Sequence, residues 1–133
     1  MINAMIAVAL LGSAPGGQVD VGRINQNSLP SLKAVERSLP TAGMVERVER
    51  ILESGQCTLQ GQTARRFDIT VPYAVLVEPD GSAGRVVVQE TGCEPLESYV
   101  GLVVLTLARE GDFAKSRGPQ ARWFTSEINF NLE

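Results

Sequence analysis

The chain has 133 residues, 44% of them hydrophobic and 20% charged, with a formal net charge of -3 and a pI of about 5.0; these values suit one compact domain with its own core and exclude a wholly disordered chain. The acidic balance excludes a nucleic-acid surface that tracks phosphates, because such a surface needs clustered Lys and Arg. The sequence has no His, so the commonest general base and the commonest metal ligand are both missing.

Residues 1–17, MINAMIAVALLGSAPGG, contain no Lys, Arg, Asp or Glu, and the apolar run from Ala4 to Leu11 is followed at once by Gly, Ser, Ala and Pro. This is the shape of a secretory signal peptide, with cleavage expected after Gly16 or Gly17. The alternative is a buried N-terminal strand or helix. The run falls far short of the ~20 residues that cross a bilayer, so no stable membrane insertion is expected. Residues 18–31 are polar and aperiodic and read as a linker or extended arm. Apolar residues at helical spacing then predict two helices, over 31–39 and 41–53, separated by Pro40. Together, residues 18–56 form an N-terminal arm and helical segment.

From Phe67 the period changes to two. Phe67, Ile69, Val71, Tyr73, Val75 and Val77 share one face of a long strand, and Pro72 places part of that strand at a sheet edge or a bulge. The stretch EPDGSAG is a turn, and RVVVQE completes a hairpin. Pro95 and Gly111 bracket a helix over 94–110 that is apolar almost all round, so it needs cover on more than one flank. We expect the stripe Met44, Val48, Ile51 and Leu52 to supply that cover from within the chain. In the final stretch, residues 121–132, Phe124, Ile128, Phe130 and Leu132 alternate with Trp123, Thr125, Glu127, Asn129 and Asn131, which predicts a half-buried closing strand. The fold class expected is α+β, a small antiparallel three-stranded sheet (hairpin, helix, strand) packed on a helix, with the N-terminal helices added.

The cysteine count and the signal-like start together predict a Cys57/Cys93 disulfide, the alternative being two buried free thiols. For an enzyme, the candidates are carboxylates: Glu94 and Glu97 at the helix start, and Glu78 and Asp80 at the turn. No nucleophile or metal-ligand spacing accompanies them, and acidic side chains favour such positions for backbone and dipole reasons. No phosphate-binding glycine pattern occurs. The reading is therefore non-enzymatic, without cofactor or metal.

Several positions in 67–132 fall in a familiar order: Asp80 and Gly81 in the hairpin turn, Val86 and Val88 in the second strand, Gly92 with Leu96 at the helix start, and Phe113 after the helix. Gly118 and Pro119 precede the last strand, and Phe130 and Leu132 close it. In this order and spacing, residues 57–133 resemble the C-terminal domain of the TonB energy-transducer family, here without the transmembrane anchor and Pro-rich spacer. Gly111 and Lys115 stand where the family usually carries Trp and Pro. The resemblance implies a periplasmic protein-binding or adaptor module, related to transport, whose final strand meets an extended peptide of a partner in the cell envelope. Trp123, Thr125, Glu127, Asn129 and Asn131 would then read the bound segment. A self-associating assembly protein, working as a homodimer, is the alternative.

Overall fold

The computed structural model describes residues 18–33 and 38–133; the expected signal peptide lies outside them. The architecture is α+β: a four-stranded mixed sheet with two helices on one face.

Strand β2 (Phe67–Val77) turns into β3 (Ala83–Gln89), and β4 (Arg122–Leu132) pairs antiparallel with β2 along its whole length, from Phe67 opposite Leu132 to Val77 opposite Arg122. The turn forms because Gly81 adopts φ 87°, its N–H reaches the Glu78 carbonyl at 2.8 Å, and the Asp80 carboxylate accepts from the Ser82 N–H and hydroxyl. The sheet has one strand more than the sequence suggests. Within the stretch read as a linker, β1 (Val19–Gly22) pairs parallel to β3, giving the order β1-β3-β2-β4. Four residues are too few to display a period of two, and a parallel partner far along the chain leaves no local turn signal.

Helix α1 (Ala42–Glu53) begins where the Thr41 hydroxyl accepts from the Met44 N–H. Helix α2 (Glu94–Arg109) ends at Gly111, whose φ of 85° lets the Asp112 N–H reach back to the Leu107 carbonyl. The helix expected over 31–39 is not seen at its described ends: Ser31 bridges to Thr125 in β4, and residues 38–40 are irregular. Its centre, 34–37, lies outside the described residues.

Both helices cover the face of the sheet that carries Val71, Tyr73, Val75, Val86, Val88, Phe124, Ile128 and Phe130, with α2 over β3 and β1 and α1 beside it over β4. Val48 and Ile51 of α1 are buried in this core, and Met44, Val45 and Leu52 pack against it, as the excess apolar surface of α2 requires. Burial pushes the Tyr73 phenol up, although a hydrogen bond with Ser126 works the other way. The core is tied off by the Cys57–Cys93 disulfide, which joins the loop after α1 to the start of α2.

The opposite face carries no helix, yet Ala74 at its centre is only 3% exposed. The arm that follows β1 runs across this face. The Ile24 N–H donates to the Gln89 side chain, and the Gln26 amide donates to Glu127 on the far strand. At the far edge the Thr125 N–H donates to the Pro30 carbonyl at 2.9 Å, and the Leu32 N–H donates to the Thr125 carbonyl at 3.0 Å. Residues 23–32 therefore form a strap from one edge of the sheet to the other.

Candidate functional site: the outer edge of the closing strand

Sheet edges carry rows of unpaired N–H and C=O groups, and proteins block them or use them. Along β2, the ladder to β3 stops at Tyr73, which leaves the stretch from Phe67 to Pro72 bare on that side. It is blocked twice. Pro72 has no N–H, and the Gln62 side chain imitates a neighbouring strand by accepting from the Asp68 N–H at 2.8 Å and donating to the Asp68 carbonyl at 3.3 Å. A groove of about 300 Å³ opens beside this cap, lined by Gly61, Gln62, Arg66, Phe67, Asp68, Leu132 and Glu133.

The outer edge of β4 is different. Both backbone groups of Thr125 point away from β2, so the alternation of an antiparallel ladder sends those of Glu127, Asn129 and Asn131 the same way. Among the described residues, no backbone partner faces these three positions. Their side chains lie on the strap face and are exposed, and Asn129 is held in place by donating to Asp68 Oδ1 at 2.7 Å and Thr70 Oγ1 at 2.8 Å.

Two of the expected reading residues stand apart from this row. Thr125 does not face solvent: it is 3% exposed, the strap occupies both its backbone groups, and its hydroxyl donates to the Tyr73 carbonyl. Trp123 is half-buried opposite Leu76. The edge brings Glu127, Asn129 and Asn131 together as an open row; Thr125 instead shows how the edge takes an extended segment. The strap itself was missed at the sequence level, although Pro30 restricts its neighbour to extended backbone and half-buried leucines flank it.

Two of the four carboxylates considered for catalysis, Glu97 and Asp80, hold nearby backbone in place. Glu97 is almost fully buried and accepts from the Thr91 N–H at 2.6 Å, the Thr91 hydroxyl at 2.9 Å and the Gly92 N–H at 3.0 Å. Burial opposes its charge, but these donors outweigh it and hold the carboxyl below its ordinary range. A depressed folded-state pKa contributes stability that is complete above the unfolded-state pKa and disappears as pH falls through the folded one. We expect Glu97→Gln to cost roughly 1 to 3 kcal/mol at neutral pH, a difference that shrinks through the acid range. Urea unfolding of both proteins across that range measures it, and a constant difference at every pH would contradict this role. Asp80 is likewise held low, by its hydrogen bonds from Ser82. Among the described residues, no group of three His, Cys, Asp or Glu is placed to hold a metal ion, and no helix is long and apolar enough to cross a membrane.

Comparison with protein-family models, curated proteins and solved structures gives no match.

Proposed function

We propose that the chain is a non-catalytic protein-binding or adaptor module of the TonB C-terminal type, working in the periplasm and recruiting an extended peptide of an envelope protein by β-augmentation along β4. The observation that carries this reading is the pair of bonds at Thr125, where the chain's own Pro30 and Leu32 already lie on the edge as an added strand would. The next outward positions, Glu127, Asn129 and Asn131, continue the same line. Main-chain bonds there supply affinity tolerant of sequence, and the three exposed side chains read the segment. The disulfide supports an oxidising compartment, where such a bond persists.

A displayed library of random peptides selected on the protein tests the reading. Enriched peptides should bind Asn129→Pro at least tenfold more weakly, about 1.4 kcal/mol, because the outward N–H is gone. They should bind Asn129→Ala almost normally, since that variant loses the bonds to Asp68 and Thr70 but keeps the N–H. Thr125→Pro is expected to loosen the strap itself. Equal binding by wild type and Asn129→Pro, or no enrichment at all, would sink the proposal.

A further inference from the structure

The strap interrupts the outer edge of β4. By the alternation of the ladder, Trp123 also turns its backbone groups outward, so that edge runs through Trp123, Thr125, Glu127, Asn129 and Asn131. Ser31 lies opposite Thr125 and divides it, with Trp123 on one side and the open row of three on the other. The hold there is light. Across residues 23–33 no residue is buried, and the far end of the strap is kept on the edge by the two backbone bonds at Thr125, the exposed bond from Gln26 to Glu127 and the half-buried Leu32. Segments with few buried contacts and exposed hydrogen bonds open at low cost. What the strap covers is small: Ala74 and Thr125. The Thr125 hydroxyl is satisfied from within the sheet, by the Tyr73 carbonyl, so lifting the strap from Thr125 frees just its N–H and carbonyl. Both ends of the strap stay anchored, since the Glu90 N–H donates to the Gly22 carbonyl before it and the Lys33 N–H donates to the Ser116 hydroxyl after it.

We infer that residues 29–32 are a built-in competitor for the β4 edge: an extended segment of the partner takes the Thr125 N–H and carbonyl in their place, lifts the strap, and pairs without interruption across 123–131. The inference rests on peptide capture along β4 and adds its regulation. An incoming strand remakes at Thr125 the two bonds that it displaces. It also gains Trp123, whose side chain then joins Glu127, Asn129 and Asn131 along the bound segment. A segment confined to the open row meets three outward positions, whereas one that lifts the strap meets all five. The closed strap lowers the apparent affinity for such a segment in proportion to the fraction of time the edge is open. The edge therefore holds a long segment tightly only where that segment outcompetes the chain's own.

Hydrogen exchange on the full chain, without peptide, reads the strap directly. The Leu32 amide should exchange roughly a hundredfold faster than the Ile128 amide, which points into the ladder with β2, because the strap opens locally. Saturation with a library-selected peptide long enough to span 123–131 should remove the remaining protection of Leu32. Leu32→Pro, which deletes the N–H given to the Thr125 carbonyl, should bind the same peptide about tenfold more tightly, with an unchanged circular dichroism spectrum. Should that variant lose its fold, the two exchange measurements decide. A Leu32 amide as slow as that of Ile128, or one still protected in the peptide complex, overturns the inference. So does a folded Leu32→Pro that binds no more tightly than wild type. Each of these results leaves capture at Glu127, Asn129 and Asn131 standing. Equal binding by wild type and Asn129→Pro instead removes that reading, and this inference with it, however fast Leu32 exchanges.

Discussion

Deleting residues 18–54 should leave a chain that no longer folds cooperatively. The segment supplies the fourth strand, the cover over Ala74 and the second helix of the core. Val48 and Ile51 alone represent about 1.5 to 3 kcal/mol each of apolar burial. Their removal also uncovers the buried face of β4 beneath α1, while loss of β1 bares the edge of β3. Together these losses rival the roughly 5 to 15 kcal/mol that holds an ordinary domain. Circular dichroism during a urea titration should show no sharp transition for the shortened chain. A monomer of unchanged thermal stability would contradict the packing of α1 against α2 and β4. The graded version is Val48→Asp, which places a carboxylate at a fully buried position and should unfold the protein at neutral pH.

Reducing the Cys57–Cys93 disulfide should have the next largest effect. The bridge closes a separation of 36 residues, worth roughly 3 to 4 kcal/mol when counted as the entropy that a crosslink removes from the unfolded chain. Its position adds to this. Cys93 is fully buried just before α2, in the loop whose amides are held by Glu97, so the bond fixes the segment after α1 to a rigid point of the core. Cys57→Ser with Cys93→Ser, or wild type in strong reductant, should show a lower urea midpoint, with the folded spectrum preserved in the absence of urea. Equal midpoints for reduced and oxidised protein would contradict this estimate.

The half of the fold from Phe67 onward was legible because its signals are local and repeated. Six alternating apolar residues mark β2, Asp80 and Gly81 mark the turn, and Pro95 and Gly111 bracket α2. The pairing of Cys57 with Cys93 followed from there being only two cysteines. The beginning was far less legible. In β1 the pattern Val-Asp-Val-Gly is too brief to separate a strand from a coil, and its partner β3 is distant in sequence. The closing strand was read correctly as alternating, but the burial of Thr125 depends on the strap, which no periodicity announces. The position of β4 at the sheet edge likewise follows from strand order, which hydrophobic pattern alone does not specify.

The strap has a consequence for the order of events during synthesis. Ile24 meets Gln89 at a sequence separation of 65, and Gln26 meets Glu127 at a separation of 101. Ribosomes release the N-terminus first, yet the partners of Gln26, Pro30 and Leu32 are among the last residues made. The local hairpin of β2 and β3 can assemble early, whereas long loops must close before the first-made residues find their places. β1 can settle on β3 once Gln89 has been made, whereas the far end of the strap waits, unsheltered, until β4 has been completed, and the interval belongs to whatever escorts or proteases the nascent chain meets.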